Sequence, residues 1–201
     1  MLKNNVWILI LAAGSSNRMG SPKLLLPIAG ESMIRRVTTA AITAIEGHVA
    51  IVSGKDSVFK HEHVQDLGVE WIENNESQLG LSSSIRAGVA HLIQHQRPQA
   101  ILIILGDQPD MDSRTIVQVV EHYQAKGGSI VQVKYTDRPG HPVLFDEALF
   151  PELLQLEGDY GAKNVLRAYQ ESIQWVAVQS DMPEDIDTPE EYEAYVSRNP
   201  K

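Results

Sequence analysis

Three segments of this 201-residue sequence carry side chains able to work on a phosphate group. The longest is Leu11-Ala12-Ala13-Gly14-Ser15-Ser16-Asn17-Arg18-Met19-Gly20-Ser21-Pro22-Lys23. Small residues let backbone N–H groups come close to an anion, and Arg18 and Lys23 add positive charge. Neither standard phosphate loop fits. Gly14 and Gly20 are six apart and Lys23 follows a proline, against G-x-x-x-x-G-K-[ST], and G-x-G-x-x-G does not occur. Taken alone, the loop also reads as a glycine-rich turn with two solvated cations. The second segment is Leu105-Gly106-Asp107-Gln108-Pro109, where a carboxylate can hold Mg²⁺ and so neutralise phosphate oxygens. A turn aspartate bonded to its own backbone is the competing reading. The third, Asp185-Ile186-Asp187-Thr188-Pro189, offers a second hard oxygen ligand, or else caps a helix that has Pro189 at its first position.

Other chemistries are excluded or weak. The chain has no cysteine, so disulfides, thiolate metal sites and cysteine nucleophiles are absent, which is compatible with a reducing interior. Seventeen Lys and Arg against 26 Asp and Glu give a net charge of −9, so no global basic face exists for nucleic acid or an anionic membrane. Gly80-Leu81-Ser82-Ser83-Ser84 fails the G-x-S-x-G nucleophile pattern at its last position. His91 and His95 share a helix face without the H-E-x-x-H glutamate, and His61-Glu62-His63 reads as polar surface. Trp7, Trp71 and Trp175 lie far apart in or beside strands and read as packing residues.

The elements that must position these segments follow from hydrophobic periodicity. Val6–Leu11 and Ala100–Leu105 are unbroken apolar runs of strand length, and His48–Val52, Val69–Ile72 and Ile130–Lys134 are short β-rich runs. Between them run helical patterns. One begins after Ser32 with Ile34, Val37, Ala41 and Ile45; Ser82–His95 and Asp112–Lys126 are the others. Such alternation implies a parallel sheet covered on both faces, with the first two phosphate-directed segments just past strand ends. Beyond Tyr135, Pro142–Phe145 and Ile173–Val178 read as strands, and Glu147–Leu156, Ala162–Tyr169 and Pro189–Val196 as helices. With no repeat, linker or low-complexity tract, one domain over residues 1–201 is expected. The apolar stretch Val6–Gly14 is far shorter than the roughly 20 residues a membrane span needs and leads into a loop, so a cytoplasmic chain is expected.

LAAGSSNRMGSPK, GDQP, GHPVLF, GDYGAKNVL and DIDTPEEY, in that order, resemble the MobA/MocA-like nucleotidyltransferase family, nearest its molybdenum cofactor cytidylyltransferases and the relatives that serve xanthine dehydrogenase. The resemblance implies a single-domain α/β fold, a GT-A-like (nucleotide-diphospho-sugar transferase, Rossmann-like) three-layer sandwich with a mostly parallel sheet. Its nucleotide half would run to about residue 110 and its acceptor half over 111–201. It implies that Leu11, Ala12, Ala13 and Gly14 line the nucleotide, and that Arg18 and Lys23 hold the triphosphate, with Lys23 nearest the α-phosphate. Asp107 and Asp187 become Mg²⁺ ligands. Gly80, Ser82, Ser83 and Ser84 sit by base and ribose, and His141 and Asp159 face the acceptor. Guanylyltransferase relatives tend to have Gly at Ala13 and Asp-Lys-Gly at Pro22-Lys23-Leu24, so this chain is expected to use CTP, with Lys23, Arg18 and Asp107 catalytic. The implied partners are CTP, a molybdopterin-type cofactor and, transiently, a client molybdoenzyme. A nucleotidyltransferase with GTP or a sugar or polyol phosphate, and a non-catalytic carrier of the pterin, are the rival readings.

Overall fold

Residues buried on both faces of a sheet need no polar alternation, and Val6–Leu11 forms a first strand, β1, buried along its whole length. The computed structural model describes residues 5–14, 19–45 and 47–199. After β1, a two-residue ladder joins β2 (Pro27–Ile28) to β3 (Glu31–Ser32). Ala29 and Gly30 between them both have positive φ, the geometry of a two-residue hairpin turn. Then follow α1 (Met33–Ala44), β4 (Val49–Gly54), β5 (Glu70–Asn74), α2 (Leu81–His95), β6 (Ala100–Leu105) and α3 (Ser113–Lys126). The rest comprises β7 (Ile130–Lys134), β8 (Pro139–Asp146), α4 (Phe150–Leu153), α5 (Lys163–Ala168), β9 (Ile173–Ala177) and α6 (Pro189–Arg198).

Seven strands form one sheet in the order β5-β4-β1-β6-β8-β7-β9. Only β8 runs against its neighbours; every other pairing is parallel. Period-2 side-chain alternation splits the core in two. Val6, Ile8 and Ile10 face α1 and α3, meeting Ile34, Val37, Ile116 and Val119. Trp7, Leu9 and Leu11 face the other way, onto Ile85, Val89, Leu92, Leu153 and Val165 of α2, α4 and α5. Helix, sheet and helix are the three layers expected of the mostly parallel α/β class.

Several elements depart from the sequence expectations. Glu147–Leu156 is not one helix but a 3₁₀ turn over Glu147–Leu149 followed by the four residues of α4. Asp146 caps that turn by accepting from Ala148 N–H, and Pro151 allows a helix start there without extending back. Strand β8 is longer than Pro142–Phe145 because it pairs on both sides, with β6 and with β7. The β2–β3 hairpin carries no Asn-Gly or Asp-Gly signal and is too short for alternation to mark. Among the described residues, no helix is long and apolar enough to cross a membrane. Leu102 lies at the centre of β6 with no exposed surface. Leu102→Ala is expected to lower unfolding free energy by about 2–5 kcal/mol in urea titrations, the range for a buried leucine.

Candidate active site

Parallel strands present their carboxyl ends, and the loops after them, along one edge of the sheet. Three connections converge there. Ala12, just past β1, donates its N–H to Val52 O of β4 at 2.8 Å, and Gly106, just past β6, donates to Leu11 O at 2.9 Å. A Cβ on Gly106 would stand 3.0 Å from Ile34 and 3.1 Å from Leu11 O, so the turn to Asp107 is tight because position 106 has no side chain. Beside these ends opens a cavity of about 500 Å³ lined by Ala13, Gly14, Gly20, Pro22, Gly54 and Phe59 among others. A Cβ on Gly54 would come within 2.8 Å of Ser77 Oγ, so this glycine keeps β4 close to the Ser77 turn. Gly54, Phe59 and Ser77 were missed by sequence reasoning: no motif marks them, and only the sheet order brings them to the first loop.

At the mouth of the sheet one lysine bridges two carboxylates. Pro22 precedes a 3₁₀ turn over Lys23–Leu25, and Lys23 is buried. Its Nζ donates to Asp107 Oδ2 at 2.6 Å and to Asp187 Oδ1 at 2.7 Å. Burial works against the ammonium, but the two carboxylates outweigh it and hold the Lys23 pKa above its ordinary value. Neither aspartate is spent on the local backbone role its sequence also allowed. Thr188 caps α6 instead, accepting from Glu191 N–H at 3.2 Å, while Glu191 Oε2 accepts from the N–H groups of Asp187 and Thr188 in a reciprocal capping box. The Asp187 carboxylate is thereby turned to Lys23. Buried Ile186 fixes the approach, donating its N–H to Asp107 O at 3.2 Å.

Asp185 and Gln108 extend this cluster, and sequence reasoning did not single out either for a role. Gln108 is fully buried and donates from Nε2 to Asp185 Oδ1 at 2.8 Å, tying the turn after β6 to the strap before α6. Desolvation and the nearby Asp107 raise the Asp185 pKa.

Asp107 and Asp187 place hard oxygens around one point, the donor chemistry that suits Mg²⁺. Among the described residues no three His, Cys, Asp or Glu side chains converge. Two carboxylates with the remaining positions left to substrate phosphates and water is a usual arrangement for that ion, so the residues present fit it.

Leu11 and Ala12 are buried, Ala13 is half-buried and Gly14 is exposed at the loop. Arg18 lies outside the described residues. Gly80 begins α2 with φ +90, and a Cβ there would lie 2.9 Å from Asp159 Cα. Asp159 Oδ1 accepts from Leu81 N–H at 2.9 Å. It therefore supplies the cap that Gly80 cannot, from 78 residues away. Ser82, Ser83 and Ser84 are buried and tie the start of α2 down. Ser82 Oγ donates to Glu157 O, Ser83 Oγ to Gly80 O, and Asn74 Nδ2 donates to Ser83 Oγ and Ser84 Oγ. His91 is half-buried, its Nε2 at 2.8 Å from Glu70 Oε1, in line with a surface helix face.

His141 enters on β8 two residues before Val143, which pairs with Ile103 of β6. Its Nδ1 is 3.1 Å from Ile103 O, an acceptor only, so Nδ1 carries the proton and Nε2 the lone pair. Desolvation lowers its pKa, opposed by the Ile103 carbonyl and Asp107 and assisted by Lys163. Nitrogen NMR is expected to find the Nδ1–H tautomer at pH 7. An unfolded histidine takes up a proton near pH 6.5 and the folded one only at lower pH, so this group removes stability as pH falls below that value. His141→Gln is expected to flatten that part of the stability–pH curve, and an unchanged curve would contradict the assignment. Asp159→Ala is expected to cost about 1 kcal/mol of stability through loss of the cap. Asp159→Asn keeps an accepting oxygen and is expected to recover most of it in the same thermal denaturation series.

The chain is similar to known proteins over most of its length. A family profile described as MobA-like NTP transferase domain matches residues 8–173. The purine catabolism protein PucB of Bacillus subtilis is 28% identical over 91% of this chain and 92% of its own length. Bifunctional protein GlmU of Chromobacterium violaceum is 32% identical over 67% of this chain, and the match spans 29% of that longer protein. The crystal structure of Rv0371c from Mycobacterium tuberculosis superposes with a TM-score of 0.81 at 27% identity, covering 98% of this chain and 100% of that one. A complex of Rv0371C with manganese superposes at 0.76 with 24% identity, covering 96% and 98%.

Proposed function

The chain belongs to the MobA-like NTP transferase domain family, and on that premise we propose that it transfers CMP from CTP to the terminal phosphate of a molybdopterin-type cofactor, releasing pyrophosphate. The observation that carries the reading is the Lys23 ammonium held between Asp107 and Asp187, at the strand ends and beside the lined cavity. The choice of substrates rests on similarity to PucB over nearly the whole of both chains, and on Ala13 and Pro22-Lys23-Leu24 in the first loop.

In this reading the nucleotide half runs to about residue 110 and the acceptor half over 111–201. Ala12, Ala13 and Gly14 hold base and ribose through backbone groups, with Gly80 and the Ser82–Ser84 helix start behind them. Lys23 donates to an α-phosphate oxygen, where an ammonium gains more as charge spreads over the transferring group than it does in the ground state. Arg18 adds charge along the triphosphate. His141 faces the acceptor as a neutral ring, and Asp159 keeps the acceptor-side loop against the start of α2. An oxygen of the acceptor's terminal phosphate attacks the α-phosphorus in line, the bond to the bridging oxygen breaks, and pyrophosphate leaves with that electron pair. No covalent link to the protein is needed. Mg²⁺ held by Asp107 and Asp187 supplies charge neutralisation at the phosphate oxygens when bound. Support for a divalent ion comes from the donor set and from the manganese bound by a protein of the same fold. We place the chain in the cytoplasm, where it would hand its product to a client molybdoenzyme.

Purified protein with Mg²⁺ and each nucleoside triphosphate in turn, with and without molybdopterin, tests the reading through pyrophosphate release. Release that needs both CTP and molybdopterin is the expected result. Asp107→Asn is expected to lower it by about 10²–10³-fold with an unchanged circular dichroism spectrum. Release with GTP, or with a sugar phosphate in place of the pterin, would reassign the substrates. Pterin binding without turnover of any nucleotide would make the chain a carrier.

A further inference from the structure

The two carboxylates proposed to seat a metal ion already hold a cation of the chain. Asp107 Oδ2 and Asp187 Oδ1 lie 2.6 and 2.7 Å from Lys23 Nζ, and a Mg²⁺ ion on those oxygens needs contacts of about 2.0–2.1 Å. One position between the carboxylates cannot hold both an ammonium and a metal ion. We propose that Lys23 is a placeholder cation, and that nucleotide binding draws its ammonium off the carboxylates and opens the metal seat. This inference rests on the nucleotidyl-transfer reading above and adds an order to it.

Three observations carry the argument. Two carboxylates brought this close repel unless a cation lies between them, so the buried ammonium keeps the site assembled in the free protein. The stem of Lys23 starts from the 3₁₀ turn after Pro22, directly beside the cavity lined by Ala13, Gly14 and Gly20, so an anion bound there offers the ammonium a second partner within the same loop. Among the described residues two carboxylates, Asp107 and Asp187, face the seat, and a metal ion there gains further ligands from phosphates. A metal arriving alone must displace the ammonium from both carboxylates and brings no anion to the lysine. Arriving with a triphosphate, it exchanges places with it. If the ammonium holds the seat for all but a few per cent of the time, the affinity for metal alone falls by roughly 10–100-fold. Linkage then requires metal and nucleotide to strengthen each other by the same factor.

Mn²⁺ binding to the full chain, read from the electron paramagnetic resonance of the free aquo ion, tests this without turnover. Lys23→Met keeps the length of the stem and removes the charge. Without nucleotide it is expected to bind Mn²⁺ at least tenfold more tightly than the unaltered protein. In the unaltered protein α,β-methylene-CTP is expected to raise Mn²⁺ affinity, and in Lys23→Met that enhancement shrinks. Equal or weaker Mn²⁺ binding by Lys23→Met overturns the exchange while leaving the transferase reading in place. Failure of both proteins to bind Mn²⁺ even with the analogue overturns the metal-dependent reading and the exchange together. A second measurement avoids the variant: the ¹⁵N resonance of the Lys23 ammonium in the unaltered protein should move with Mg²⁺ plus analogue and stay with Mg²⁺ alone. Movement with Mg²⁺ alone, at the same concentration, overturns the gating.

Discussion

Two carboxylates at the mouth of a sheet are stable there only with a cation between them, and the ion pair that Lys23 makes with Asp107 and Asp187 organises the molecule's functional edge. The three residues come from distant parts of the chain: the loop after β1, the turn after β6 and the strap before α6. Each is delivered by ordinary packing. Gly106 lets the turn after β6 close against Leu11, Ile186 buries the strap, and the Thr188–Glu191 capping box leaves the Asp187 carboxylate turned to Lys23. Charge at this point therefore ties the C-terminal strap to the central strands of the sheet.

A second constraint couples the two halves of the cavity edge. Helix α2 begins at a glycine with no capping side chain, and Asp159 supplies the missing acceptor. Ser82 holds the same loop through Glu157 O, and Arg86 donates to Leu156 O. The loop that carries Glu157 and Asp159 is thus fastened to the start of α2. Asn74 completes the arrangement by donating to Ser83 and Ser84, so the buried hydroxyls of the triple-serine run are bonded within the scaffold. Their burial makes them supports for the loop, and their polarity is the reason they need the Asn74 amide.

His141 shows how a backbone contact selects a chemical state. One carbonyl on the neighbouring strand takes the Nδ1 proton, and desolvation disfavours a second. The ring offers a neutral acceptor at Nε2 although Asp107 lies near enough to pull the other way. Burial outweighs that attraction because the charged ring would lose more hydration than the carboxylate returns.

Much of this was legible in the residues themselves. Unbroken apolar runs at Val6–Leu11 and Ala100–Leu105 can only be strands buried on both faces, and helical periodicity placed α1, α2 and α3 within a residue or two. The loop from Leu11 to Lys23, Asp107 and Asp187 stood out through motifs that resemble those of the MobA/MocA-like family, and the fold brings Lys23, Asp107 and Asp187 together. What no local pattern contained was long-range: that Asp159 caps α2, that Gly54 and Ser77 wall the cavity, that β8 inserts antiparallel between β6 and β7, and that Thr188 rather than Asp187 caps α6. Periodicity reports only which face of an element is apolar, and a carboxylate's chemistry reports only what it could bind. Which cation Asp107 and Asp187 meet was decided by tertiary structure, because the sheet order sets the distance between segments that the chain itself leaves 84 and 164 residues from Lys23.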